Sequence, residues 1–301
     1  METFVPLYIS NKCDSYCSMC NSNCMNKSMR RIEASMEEIE NQLHILFDYE
    51  KVSAVCILTG ELFDPMERLH NIKLVCASIN KAFSIGFKKV FFNIGSLQTD
   101  EISYIYNHTS CHDSIVLSLF QETYEKKYYL QHFGSHPEHN AKADYQNRLD
   151  TIDRWLSFGF FNVDLGILLG FKPIGNDVEE LMKHANKCIS LGANVYISTP
   201  RIKGGQVDDN QYLNILENIH NSIPTAKIII TTREKLNFIN NVLDIVSVVS
   251  PGSSDICPYN KGDFILNDSS TSQFVIESKR MRPFDVLSSL SYNGCIEYFN
   301  P

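Results

Sequence analysis

The sequence predicts an α/β fold, a (β/α)8 barrel, and three observations carry that prediction. Eight short runs rich in β-branched and aromatic residues are spaced along the chain, and helix-like stretches separate most of them, the alternation of a wholly parallel sheet. The 301 residues suit a single such barrel, which needs about 250, better than two smaller units. Polar and charged residues gather just after the runs, at the end of the strands where a barrel of this kind carries its chemistry. The fallback architecture is a partial, six-stranded barrel with extra strands.

In chain order, the first run is Val5 to Ile9. After a cysteine-bearing loop, Ser35-Met-Glu-Glu38 has the form of a capping box, and Ile39, Leu43, Leu46 and Phe47 follow on one helical face. The second strand, Ala54 to Leu58, stops at Thr59-Gly60-Glu61 and so presents a carboxylate at the end of a buried strand. The remaining runs are Lys89 to Asn93, Ile115 to Leu119, Asn162 to Leu169, Asn194 to Ser198, Lys227 to Ile230 and Val246 to Val249. Asp177 to Ser190 and Asp209 to Asn221 read as helices between them. Residues 1–301 are expected to form one domain, without linker or repeat.

Composition narrows the function. Hydrophobic residues make up 44% and charged residues 21%, ordinary for a globular protein. A net charge of −8 argues against a broad nucleic-acid surface and for a small substrate. The apolar run from Val163 to Phe171 is interrupted and too short to span a bilayer, and no signal peptide precedes the first strand, so a cytoplasmic location is expected.

The residues most specific for chemistry are Cys13, Cys17 and Cys20, spaced C-x3-C-x2-C just after the first strand. A [4Fe–4S] cube takes one thiolate per iron, so a loop supplying three leaves one iron open to hold a reactant unless a distant cysteine closes it. A structural zinc site would bring a second C-x2-C or an H-x3-5-H pair, and no second C-x2-C exists. Ten cysteines in 301 residues also fall far short of a disulfide scaffold. Cys24 is the competing thiol. Other strand ends carry Gln121-Glu122-Thr-Tyr124, with its carboxylate and hydroxyl expected to face the barrel mouth, and Pro200-Arg201 and Thr232-Arg233-Glu234, whose arginines suit a carboxylate ligand. Ser250 closes the last strand, so Glu61, Glu122, Arg233 and Ser250 are expected around one cavity above the cluster. Arg148 opens the helix that carries Trp155. The histidines of His132-Phe-Gly-Ser-His136-Pro-Glu-His139 superficially resemble a ligand set but read as a solvated loop.

The cysteine spacing resembles the signature of the radical S-adenosylmethionine (SAM) enzymes. Together with Tyr8 to Cys13, Arg30-Arg31, Leu58 to Glu61, Phe120 to Tyr124, Arg148 to Asp153, Asp164 to Gly170, Pro200-Arg201 and Thr232 to Glu234, it makes the chain similar nearly end to end to the aromatic amino-acid lyases of that superfamily. The similarity is to the 2-iminoacetate synthases, tyrosine lyases of thiamine biosynthesis, with the hydrogenase-maturation tyrosine lyases and the tryptophan lyases as relatives. By that resemblance Cys13, Cys17 and Cys20 hold the [4Fe–4S] cluster, Thr59, Gly60 and Glu61 meet the amino group of SAM, and Glu122 and Arg148 contact SAM elsewhere. Arg233 and Ser250 match the positions that grip the substrate carboxylate.

The implied reaction is reductive cleavage of SAM to a 5′-deoxyadenosyl radical, which breaks the side-chain bond of a free aromatic amino acid. Tyrosine would give dehydroglycine and 4-cresol. The implied electron donor is a flavodoxin or ferredoxin, and a pathway partner protein is a further expectation. Tryptophan cleavage and a carbon-skeleton mutase are the alternatives. The chain departs from the family pattern at Asn21-Ser-Asn-Cys24, where a glycine and an aromatic residue are usual. The segment 273–301 resembles the family's C-terminal element, but Cys295 stands alone there, so no second cluster and no iron-bound carbon monoxide or cyanide is expected.

Overall fold

The computed structural model describes residues 1–202, 204–261 and 281–301. Its strands are β1 (Glu2–Thr3), β2 (Val5–Tyr8), β3 (Ala54–Leu58), β4 (Lys89–Asn93), β5 (Ile115–Glu122), β6 (Asn162–Ile167), β7 (Asn194–Ser198), β8 (Lys227–Thr231) and β9 (Val248–Ser250). The helices are α1 (Met36–His44), α2 (Pro65–Ile85), α3 (Thr99–His108), α4 (Lys126–Phe133), α5 (Tyr145–Ser157), α6 (Asp177–Ser190), α7 (Asp209–Ser222), α8 (Leu236–Asn241) and α9 (Pro283–Ser288). Every neighbouring pair of strands is parallel, in the order β1-β9-β8-β7-β6-β5-β4-β3-β2.

The ends of that order are two parts of one stave. β1 and β2 are separated by Phe4 alone; β1 pairs with β9 and β2 with β3, so the N-terminal segment closes the sheet and the barrel has eight staves. The eight runs read from the sequence are these staves, and the six-stranded alternative falls away. The part of the expected C-terminal element at 273–280 lies outside the described residues; α9 follows it, with Val286 and Leu287 buried.

Alternation along the strands sorts the side chains. Val55, Ile57, Val90, Phe92, Leu117 and Leu165 belong to the large core between sheet and helices, as period-two geometry requires. Inside the barrel, Phe4, Cys56, Phe91, Val116, Tyr196, Ile229 and Val248 form a separate apolar layer, with Phe4 stacked on Phe91 at 4.3 Å. Below it the Tyr196 hydroxyl donates to Glu2 at 2.9 Å and Lys89 to the Tyr196 hydroxyl at 2.6 Å, while Lys227 pairs with Glu2. The N-terminal end of the barrel is thereby plugged, and access is left to the other end.

Helix starts deliver site residues to that open end. The Ser35 hydroxyl and the Glu38 carboxylate form the capping box of α1 that the sequence predicts. Asp144 caps α5 by accepting from the amides of Gln146 and Asn147, which sets Arg148 in the first turn beside the mouth.

Candidate active site

The cysteine loop is held by its backbone. The Asn11 side chain donates to Arg30 O and accepts from Ile32 N, and the Arg31 guanidinium donates to the carbonyls of Asn11, Ser22 and Asn23 at 2.7, 2.8 and 2.6 Å. On the β3 side the Asp14 amide donates to Glu61 O at 3.0 Å. Gly60 is required here, because a Cβ would lie 2.1 Å from Lys12 O and 2.5 Å from the Cys13 Cβ. On the other side Cys17 packs on Tyr129 and Phe133. The histidine loop covers this flank: Ser18 and His132 share a hydrogen bond of 2.9 Å, and the His136 ring lies 4.6 Å from Tyr16.

Cys13, Cys17 and Cys20 all line one cavity of about 690 Å³ at the C-terminal end of the barrel, and Cys24 does not. Cys24 donates its amide to Ser15 O. Burial, and then the nearness of Cys20, push the Cys13 thiol up; burial also pushes up Cys17. Iron bound at Cys13, Cys17 and Cys20 would reverse that balance, since thiol ligands of a metal are deprotonated. The Ser15 hydroxyl, within the loop and on the cavity wall, is buried without a hydrogen-bond partner. A cube spreads its thiolates over separate irons, and the three thiols that face this one cavity supply the donor type it takes.

Next to the loop stand two ion pairs, one buried and one partly buried. Glu61 is 5% exposed and Arg148 3%; the Glu61 carboxylate accepts from Arg148 at 2.9 Å and from the Ser96 amide at 2.8 Å, and Arg148 also donates to Phe120 O. Glu122, at a positive φ of 67° where the pairing of β5 and β6 shifts register, is paired with Lys142. Burial works against the charge on Glu61, but Arg148, Lys142 and the Ser96 amide outweigh it and hold the carboxyl below its ordinary range. Glu61, Glu122 and Arg148, all expected to contact SAM, thus line the cavity already tied to partners within the chain.

That arrangement makes the Glu61–Arg148 pair part of the scaffold. Glu61→Gln strands a buried guanidinium and is expected to destabilise the barrel by about 3–5 kcal/mol at neutral pH. A depressed folded pKa contributes stability above the unfolded value, and that contribution is lost as pH falls through the folded one. Thermal melting of the variant and the natural chain should accordingly differ most near pH 7 and converge in acid.

Across the mouth, Arg233 follows β8 and Ser250 ends the adjacent β9: Thr231 pairs in register with Ser250, and Thr232 donates its amide to Ser250 O. Both line the cavity, as does Tyr8. Burial presses the Arg233 pKa down, opposed by Tyr8 and Glu122. Two expectations need correction. Arg201 does face a carboxylate, but it is the chain's own Glu234, with Asp209 at 2.8 Å and the Tyr212 ring 4.7 Å from the guanidinium. Tyr124 does not point into the mouth; the bend at Glu122 turns it outward, and its hydroxyl meets His184 of α6 at 2.8 Å.

Two cavity residues carry no assigned role in the sequence, Lys142 and Asp164. Lys142 sits in a polar loop and carries no local signal. Asp164 did carry one, a carboxylate in the middle of the apolar run of β6. It lies 2% exposed on the cavity floor and accepts from the hydroxyls of Ser118 at 2.6 Å and Ser198 at 2.9 Å. Burial pushes its pKa up to about 7. Here the folded pKa is raised above the unfolded one, so the folded state holds a proton that the unfolded state has lost, and stability falls between about pH 4 and 7. Asp164→Asn should remove that penalty. Melting temperatures should rise in the variant at pH 8, by the equivalent of a few kcal/mol, and change little at pH 4.

Fold and site together define a closed parallel barrel with a three-cysteine loop at its C-terminal mouth. Solved structures share this fold. The [FeFe]-hydrogenase maturase HydG from Carboxydothermus hydrogenoformans superposes with a TM-score of 0.80 at 20% identity over 93% of this chain. A second HydG structure gives 0.81 at 24% over 96%, and methylornithine synthase (PylB) gives 0.67 at 19% over 95%. The chain spans 64% and 63% of the two HydG chains and 79% of PylB. No protein-family model and no curated protein matches the sequence. Among the described residues no helix is long and apolar enough to cross a membrane.

Proposed function

We propose that this protein is a radical SAM enzyme that cleaves the side chain of a free aromatic amino acid, tyrosine before tryptophan. The observation that carries the reading is the shared cavity: the cysteine loop, the strand end Thr59-Gly60-Glu61 and the pair Arg233 and Ser250 all face it. Its volume, about 690 Å³, is of the size that small-molecule sites have. Cys13, Cys17 and Cys20 would hold a [4Fe–4S] cluster, and Glu61, Glu122 and Arg148 would lie along SAM. When bound, cluster and SAM supply one electron and a 5′-deoxyadenosyl radical for hydrogen removal from the substrate amine.

The protein's own part is placement. Arg233 and Ser250 hold the substrate carboxylate, which turns the amine toward the cysteine side of the cavity. The plugged lower end of the barrel keeps water from entering behind the substrate, which protects a reactive intermediate. A flavodoxin or ferredoxin is the proposed reductant.

The test is anaerobic incubation of the reconstituted protein with SAM, a reductant and single amino acids, with products read by mass spectrometry. 4-Cresol is the expected product and an indole product moves the substrate to tryptophan. A rearranged isomer without fragments would overturn the lyase reading in favour of a mutase.

A further inference from the structure

The deep end of the cavity carries chemistry that the reaction above does not use. Asp164 stands three residues before the end of β6, so it lies about 10 Å deeper along its strand than the strand's last residue. Arg233 stands two residues beyond the end of β8. The two groups therefore occupy opposite ends of one cavity, and Leu58, Phe120 and Ile229 are among the apolar residues lining it.

The polarity of the floor is one-sided. Ser118 and Ser198 approach Asp164 from the flanking strands and each spends its single hydroxyl proton on a different carboxylate oxygen. Once Asp164 is ionised, above about pH 7, the lone pairs left on the carboxylate and on both hydroxyl oxygens only accept. No cation pairs with Asp164 among the described ion pairs of the barrel interior, where Lys89 and Lys227 are engaged with Glu2. A floor of this kind repels a carboxylate, leaves an unsubstituted ring with nothing to offer, and is completed by a hydrogen-bond donor.

We propose that Asp164, with Ser118 and Ser198, is the subsite for the far end of the substrate's side chain, and that it accepts a hydrogen bond from a phenol hydroxyl. This rests on the reading that the cavity takes a free amino acid by its carboxylate at Arg233. Such a substrate spans the cavity from mouth to floor, with its ring against the apolar wall. Asp164 is then what separates tyrosine from phenylalanine, since a site built around a substrate hydroxyl leaves its own polar groups unpaired when that hydroxyl is missing.

Equilibrium binding of L-tyrosine and L-phenylalanine to the reconstituted protein at pH 8, with SAM present, tests this without turnover. The natural chain should prefer tyrosine by at least about a hundredfold. Asp164→Leu should bring that ratio to within about threefold, mainly through loss of tyrosine affinity, and leave SAM affinity unchanged. Asp164→Asn, which keeps shape and is expected to fold at least as well, should retain part of the preference. If the natural chain prefers tyrosine and Asp164→Leu preserves the preference with SAM still bound, the subsite is wrong and the amino-acid reading stands. If the natural chain binds neither amino acid, the reading itself fails and the subsite with it.

Discussion

Replacing Cys13, Cys17 and Cys20 together with alanine is expected to take the reconstituted protein from about four irons per chain to almost none, with loss of the cluster's absorption and of all SAM cleavage. Each thiolate would serve a separate iron, so no neighbour can stand in for a lost one. The loop itself should survive, because its shape is set by Arg31, Asn11 and the Asp14 amide rather than by the thiols. Loss of iron is then separable from unfolding by circular dichroism. Cys24→Ala is the control, since Cys24 lies off the cavity wall and should leave iron content intact. A triple variant that still assembled a full cluster would sink the assignment.

The second large effect is expected at Arg233. Lysine keeps the charge but replaces a planar fork with a point donor, and it cannot hold a carboxylate through two parallel bonds. A displacement of about an ångström at the reacting amine can cost on the order of a hundredfold in rate. Arg233→Lys should therefore lower kcat by about two orders of magnitude while the equilibrium affinity for SAM stays within about twofold. Equal losses in both would mean that Arg233 serves the cofactor or the fold instead of the substrate.

Much of this architecture was legible because its signals are local. Strands Ala54–Leu58, Lys89–Asn93 and Asn194–Ser198 begin and end where their apolar runs do, and the Ser35–Glu38 cap is written in four consecutive residues. What stayed hidden depends on pairing at a distance. Glu61 and Arg148 are 87 positions apart, and nothing in either segment says that each supplies the other's counter-charge. Arg201 and Arg233 look alike in sequence, both arginines beyond a strand end, yet only the fold shows Glu234 and Asp209 claiming the first. Tyr124 was misread because the backbone turn at Glu122 uses a conformation that sequence does not announce in a residue other than glycine. β1 was missed since Glu2-Thr3 has no strand pattern of its own and is a strand only by virtue of β9.

The split N-terminal stave has a consequence for how the molecule comes to be. Val5–Tyr8 can find β3 once the first sixty or so residues have left the ribosome, but Thr3 waits for Val249, 246 positions away, with which it shares both the sheet register and a side-chain hydrogen bond of 2.7 Å. Contacts of such sequence separation form late and slowly, because the entropy of closing the loop is lost before the contact returns anything. A nascent chain thus carries an open, twisted sheet with two bare edges until its last strand arrives, and such edges are where chains stick to one another. Closure of the barrel removes those edges, and Glu2 and Thr3 are the latch.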